Sequence, residues 1–425
     1  MPEYFVNFAD IARRVPSAAT VVVHSDFAEP QTLVRQFAEQ AALFSGARVY
    51  SLMPMAEPAY LRGEAARHIQ AVSFFPGGGL RRAVNSGAVR IHRCNLSEIG
   101  ALFDSHTLGA DLLLLQVSKP NDRGEVSLGV SVDYMPAVLA QKPLVVAQVN
   151  AHMPFTSGAT AIPLDAIDYV IEQDEPLVAF GESRGDDLDQ IIARHVAGLV
   201  DDGDVIQAGI GALPDRVLAN LGHLKHLGGH TGIITAAWRP LIESGVVDNS
   251  RKPTFKGVTL TTMAGGDRGF YEFLHHNPAV EFHPCALTHD FKVLRAIPNL
   301  CAINSLLQLD LAGNGNAEQV GGRIIAAPGG LVDFARGASA APGGKSIIAL
   351  RSSFVGKDGE RVSNILPALD ARQPVTLASE YVGLVVTEYG VADLRGASPA
   401  QKARALIAIA HPEHRAWLES SGHQA

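Results

Sequence analysis

Asp204-Val205-Ile206-Gln207 followed by Ala208-Gly209-Ile210-Gly211-Ala212-Leu213-Pro214 and then Asp215 to Leu221 reads as a buried strand, a glycine turn and a helix. A short apolar run without alternation marks a strand covered on both faces. Glycines at its end mark a tight turn into the helix. The helical pattern Asp187 to Val200 precedes it. The same succession of helix, strand, proline turn and helix occurs earlier as Phe8 to Val15, Thr20 to His24, Phe27-Ala28-Glu29-Pro30 and Thr32 to Ala42, at an offset of about 184 residues. Val21-Val22-Val23, Leu112 to Leu115 and Leu144 to Ala147 are further short apolar runs, and Leu33 to Leu43 and Leu188 to Leu199 have helical period. Strand alternating with helix predicts parallel βαβ units with ligands at the carboxyl ends of strands. The repeat predicts two similar α/β domains, residues 1–180 and 188–425, joined by the mostly polar stretch 172–187.

The chain has 425 residues, of which 47% are hydrophobic and 18% charged, so a sizeable core is available and general disorder is excluded. A net charge of −8 argues against a nucleic-acid or anionic-membrane binder. Three cysteines (Cys94, Cys285, Cys301) without a CxxC spacing argue against a disulfide scaffold and fit a reducing compartment. The start Met1-Pro2-Glu3-Tyr4-Phe5 has no signal-peptide character, and no apolar run reaches membrane-spanning length. A cytoplasmic protein is expected, without nucleic-acid or membrane partners. A homodimer is the expected assembly for an enzyme of this size.

Few motifs carry chemistry by themselves. The backbone N–H groups at the helix start within Gln207 to Pro214, freed of Cβ bulk by glycine, suit a phosphate or a thioester carbonyl, but an empty βα turn has the same sequence. Ala327-Pro328-Gly329-Gly330 before Val332-Asp333-Phe334 offers amides to an oxyanion, or is a plain loop. His223, His226 and His230 have zinc-like spacing, but Gly228-Gly229 interrupts the helix such a site requires, so no metal is expected. No GxSxG elbow occurs, and Ser339 spoils a Walker loop ending in Gly344-Lys345-Ser346.

Thr387-Glu388-Tyr389-Gly390-Val391-Ala392-Asp393-Leu394-Arg395-Gly396, with Ala410-His411-Pro412 beyond it, resembles the C-terminal signature of the acetyl-CoA hydrolase/transferase family. Ile303-Asn304-Ser305, Asp310-Leu311 with Gly313, Gly343-Gly344-Lys345, Asp122 to Gly129 and Ile162-Pro163 through Ile167-Asp168 extend the resemblance over nearly the whole chain. It implies α/β architecture with two tandem open parallel-sheet domains of the CoA-transferase type. It also implies an enzyme that moves CoA or an acyl group between a thioester and a carboxylate, through a glutamyl-CoA thioester. Coenzyme A or acyl-CoA would be substrate, with no permanently bound cofactor, and a small carboxylic acid or another acyl acceptor would be the second reactant. By the same resemblance Gln207, Ala208, Gly209, Ile210, Gly211, Asn304, Gly330 and Lys357 would contact CoA, and Gly329 and Gly330 would lie near the oxyanion.

The chain departs from the family at the reacting centre. The family's block LGxHTE reads here Leu227-Gly228-Gly229-His230-Thr231-Gly232, so Gly232 stands at the position of the catalytic glutamate. Ala327, Leu331, His289 and Ser379 replace a glycine, a glutamine, an asparagine and an arginine of the family pattern. A glycine forms no acyl thioester. Two alternatives follow: a hydrolase or acyltransferase in which His230 or His289 is general base, and a non-catalytic acyl-CoA-binding subunit.

Overall fold

The computed structural model describes residues 2–5, 7–181 and 185–421. The chain divides into two compact units. The first comprises Met1–Gly181 and Leu260–Thr288; the second comprises Glu182–Thr259 and His289–Ala425. The second unit is therefore not the uninterrupted stretch that a single linker implies. Leu260–Thr288 groups with the first unit because its strand Val280–Phe282 pairs with Ser157–Gly158, and the Cys285 amide donates to the Asp133 carbonyl. Of the expected linker, Glu172 closes a strand, and residues 182–184 lie outside the described residues.

The first unit is built on eight strands: β1 (Glu3–Tyr4), β2 (Thr20–Val23), β3 (Arg48–Ser51), β4 (Gln70–Ser73), β5 (Val89–Ile91), β6 (Leu112–Val117), β7 (Leu144–Val149) and β8 (Tyr169–Glu172). Their order across the sheet is β1-β8-β7-β6-β2-β3-β4-β5, and every neighbouring pair is parallel. All residues of β2 and β6 are buried, as their unalternating apolar sequences predict. The chain leaves β2 toward β3, β4 and β5, and then resumes on the other side of β2 with β6. The crevice at this reversal is where an open parallel sheet receives ligands.

The second unit repeats the plan. Its strands are β9 (Val205–Ala208), β10 (Gly228–Gly229), β11 (Leu300–Ser305), β12 (Lys345–Ala349), β13 (Leu384–Thr387) and β14 (Gly390–Asp393). The order is β10-β9-β11-β12-β13-β14, parallel except for the last pair. The reversal falls between β9 and β11, so β9 holds the place that β2 holds in the first unit. Helix α1 (Asp187–Ala197) precedes β9, with Asp186 as N-cap, and α2 (Ala212–Ala219) follows it. The latter starts before Pro214, earlier than the expected Asp215, because a proline in a first turn forgoes an amide that has no helical partner. Helix α3 (Leu331–Ala340) lies between β11 and β12 in the chain.

A buried acid stands at the end of β2. Asp26 has φ 53°, is 1% exposed, and neither carboxyl oxygen has a hydrogen-bond partner among the described residues. The nearby Ser131 hydroxyl is engaged by Asp133 at 3.1 Å. Burial, followed by the proximity of Asp133, pushes the Asp26 carboxyl well above the usual carboxylate range. Burial also lowers the pKa of the neighbouring His24. Unfolded, Asp26 ionises near pH ~4. Folded, it keeps its proton to higher pH, so unfolding above pH ~4 releases a proton and stability falls as pH rises. Asp26→Asn is expected to flatten the decline of unfolding free energy between about pH 5 and about pH 8, measured by urea titration. An unchanged slope would show that Asp26 is ionised in the folded protein.

Candidate active site

In the second unit the carboxyl ends of β9 and β11 are joined by their side chains. Gln207 Nε2 donates to Asn304 Oδ1 at 3.2 Å, and Asn304 Nδ2 donates to Gln207 Oε1 at 3.0 Å. Both residues are buried, and each amide satisfies the other. Beyond the pair the chain turns through Gly209, Ile210 and Gly211 into α2. Gly211 has φ 118°, a conformation that favours glycine. A Cβ built on Gly209 or Gly211 would meet nothing within 4 Å, so open space lies against this backbone. Five sequence-derived candidates (Gln207, Ala208, Gly209, Ile210, Gly211) thus run from the end of β9 through the turn, and Asn304 adjoins them.

The edge strand β10 extends the site. The His230 amide donates to Ile206 O at 3.0 Å, prolonging the ladder with β9. The Thr231 hydroxyl donates to Ala208 O at 3.0 Å and Ile233 O at 3.1 Å. These bonds hold Gly232 beside the end of β9. A Cβ at Gly232 would lie 2.7 Å from His289 Nε2 and 3.5 Å from Phe334 Cε2. The His289 imidazole therefore stands where the first side-chain atom of any other residue at 232 would go. His289 and His230 are each 1% exposed. The Phe334 ring lies edge-on to both, with centroids 4.8 Å and 6.3 Å away. Burial, and then the neighbouring His230, lower the His289 pKa to about 3. His289 is neutral at physiological pH, so it offers a lone pair or a neutral N–H and no fixed charge.

Phe334 also connects this centre to the second glycine pair. Gly330 is the N-cap of α3, Gly329 has φ 57°, and the Phe334 amide donates to Gly330 O at 3.1 Å. Sequence reasoning missed Phe334, whose apolar ring carries no chemical signal in a helix. Leu331 packs against a hydrophobic cluster that includes Leu306, Leu350 and Leu406. Lys357 stands at the exposed tip of a hairpin formed by Ser353–Val355 and Arg361–Ser363. The three spaced histidines separate. His223 contacts the Asn220 carbonyl, His226 pairs with Asp248 at 2.7 Å, and only His230 enters the site.

Comparison with known proteins supplies the lineage. The acetyl-CoA hydrolase/transferase N-terminal domain matches residues 3–182, and the C-terminal domain of that family matches residues 266–421. The 4-hydroxybutyrate coenzyme A transferase of Clostridium kluyveri is 36% identical over 98% of this chain and 96% of its own. The chain belongs to the acetyl-CoA hydrolase/transferase family. Among solved structures, RipA from Yersinia pestis superposes with a TM-score of 0.91 at 31% identity, covering 99% of this chain and 97% of that one. The 4-hydroxybutyrate CoA-transferase of Porphyromonas gingivalis gives 0.80 at 31% identity over the same shares. Both units thus have the CoA-transferase architecture. Within it the C-terminal signature ties one strand end to its neighbour. The Glu388 carboxylate accepts from the Ser352 amide at 2.9 Å and its hydroxyl at 2.6 Å, just beyond the end of β12.

The approach of His289 to Gly232 is testable. Gly232→Ala is expected to cost ~1–3 kcal/mol by overpacking. His289→Ala in the same chain should relieve most of that cost, a coupling readable in a double-mutant denaturation cycle. Simple additivity of the two changes would contradict the steric account.

Proposed function

We propose that this chain, an acyl-CoA-acting enzyme of the CoA-transferase family, binds its thioester substrate along the Gln207–Gly211 turn and exchanges CoA with a small carboxylic acid. The observation that carries the reading is an open glycine turn at the strand-order reversal, secured by the Gln207–Asn304 amide pair. In this reading Asn304 holds the turn, and Gly329 and Gly330 present backbone amides to the developing oxyanion. Lys357 reaches CoA from its exposed hairpin. CoA is a substrate here and not a resident cofactor. A homodimer in the cytoplasm completes the reading; light scattering would check the dimer.

With Gly232 at the position of the family glutamate, no acyl-glutamyl intermediate forms there. The transfer then proceeds directly. The acceptor carboxylate attacks the thioester carbonyl, the C–S bond breaks, and a mixed anhydride and CoA thiolate result. The thiolate then attacks the acceptor carbonyl of the anhydride, forming the new acyl-CoA and releasing the first acid as carboxylate. Both substrates must be bound together, so initial rates should give intersecting reciprocal plots. The parallel plots of a ping-pong enzyme would mean a covalent carboxylate elsewhere.

A second reading is favoured by the position of His289 Nε2 at Gly232. Water held by His289 Nε2 attacks the thioester carbonyl, and one of its protons passes to the departing thiolate as the C–S bond breaks, giving the acid and CoA thiol. His230 supports the neutral state of His289. Mass spectrometry of CoA species, with a panel of acyl-CoAs and carboxylate acceptors, separates the readings. Acceptor-dependent new acyl-CoA supports exchange, and free CoA without acceptor supports hydrolysis. CoA retained without turnover indicates a binding subunit.

Two variants sharpen the test. Gly209→Val places its side chain in open space, so stability should change little while the KM for acyl-CoA rises at least about tenfold, ~1.4 kcal/mol. Gly232→Glu alone is expected to gain no transferase activity, because its Cβ meets His289 at 2.7 Å. Gly232→Glu with His289→Asn should gain it, with a change to ping-pong kinetics. A gain from the single change would show that His289 yields easily.

A further inference from the structure

A cavity of about 530 Å³ is lined, among the described residues, by residues of the first unit. That volume is typical of a small-molecule site. Three pieces of chain wall it: residues 151–154 after β7, residues 176–179 after β8, and the helix Arg268–Leu274 with His275 at its end. Strands β7 and β8 are parallel neighbours, so both wall segments leave from carboxyl ends, the ligand-binding side of such a sheet.

The walls are tied to one another before any ligand arrives. Asn150 Nδ2 donates to Glu175 O at 2.7 Å, and the Ala151 amide donates to Asp174 Oδ1 at 2.7 Å. The Tyr271 hydroxyl donates to Val178 O at 2.8 Å, joining the helix to the segment after β8. The Phe155 amide donates to His275 Nδ1 at 3.0 Å, joining the helix to the segment after β7.

The lining has two characters. Met153, Leu177 and the Tyr271 ring make a buried apolar floor. Arg268, His152 and His275 make a rim of donors. Because Nδ1 of His275 accepts the Phe155 amide, its proton sits on Nε2, where it is available. Burial, then the neighbouring His276, lower this imidazole's pKa and favour the neutral form. Glu272, the one acid among the described residues of the lining, engages Nε of Arg268 at 2.8 Å and leaves the two terminal NH2 groups of the guanidinium. We propose that this cavity binds a small organic carboxylate with an apolar body, the body on Met153 and Leu177 and the carboxylate on the Arg268 fork and His275 Nε2–H. The acid is an acceptor or product of the thioester reaction, which rests on the proposed function, or an effector.

The test is calorimetric titration of the full chain with hexanoate, hexanol and hexylamine. Hexanoate is expected to bind at least about tenfold more tightly than the other two. Arg268→Gln should weaken hexanoate at least about tenfold, and the exposure of this side chain, 80%, makes misfolding of the variant a small concern. Leu177→Trp, filling the floor, should abolish binding. Hexanoate binding no tighter than hexanol, or binding unaltered in Arg268→Gln, would overturn the proposal. Kinetics with Arg268→Gln then separate the sources. A raised KM for the carboxylate at unchanged KM for acyl-CoA identifies an acceptor site. Lost binding with both KM values unchanged identifies an effector site. An inactive protein that still titrates with hexanoate counts against the proposed function and leaves this site standing.

Discussion

The reciprocal amide pair between Gln207 and Asn304 fixes the place from which the second unit's site is hung. Two parallel strands meet there at the reversal of strand order, where one strand's exit turn leads into α2. A buried amide without a partner costs about 1–3 kcal/mol. Each of these two side chains removes that cost for the other, so neither is drawn into the space above the turn. The backbone of Gly209 to Gly211 is left facing outward. The Ile206 and Ala208 carbonyls of the same strand then receive His230 and Thr231, which sets the position of Gly232. One strand end, secured by one pair, thereby locates the glycine turn, Gly232 and His230.

Gly232 and His289 are complementary in shape. One residue lacks a side chain, and the other puts its ring in the volume a side chain there would need. The ring is held by Phe334 and surrounded by protein, so protonation is strongly disfavoured. A neutral imidazole differs in kind from a carboxylate: it is a poor electrostatic partner for a cation but a competent hydrogen-bonding group in a water-poor space. The packing of this centre thus closes around a residue without a side chain at 232.

Much of the fold is legible in the sequence because burial on both faces leaves a simple signature. Val21 to Val23, Leu112 to Leu115, Leu144 to Ala147 and Val205-Ile206 all lie in parallel strands. The repeat is legible because β2 and β9 occupy equivalent places beside the reversals of their sheets. The Gln207–Gly211 turn is legible for the same local reason. What escapes is contact between distant segments. Nothing along the chain joins Gly232 to His289, or either of them to Phe334, and the partnership appears only when the strand ends converge. The helix start is misjudged at Pro214 because proline ends helices in their interior and is harmless in their first turn. The return of Leu260–Thr288 to the first unit is invisible for another reason: its strand Val280–Phe282 is too short to announce its partner.

That return bears on how the protein is made. A ribosome delivers residues in order, and the eight strands of the first unit's main sheet have all been synthesised once Glu172 has appeared. Its remaining contacts wait until Thr288 has emerged, by which time β9 and β10 are already in the exit stream. The nascent first unit therefore spends this interval with the Ser157–Gly158 edge and the Asp133 carbonyl unoccupied, exposed to chaperones and to premature pairing. A chain stopped between the two units would carry that unfinished edge permanently. Synthesis and assembly of the two units are interleaved, because neither is a single contiguous stretch of chain.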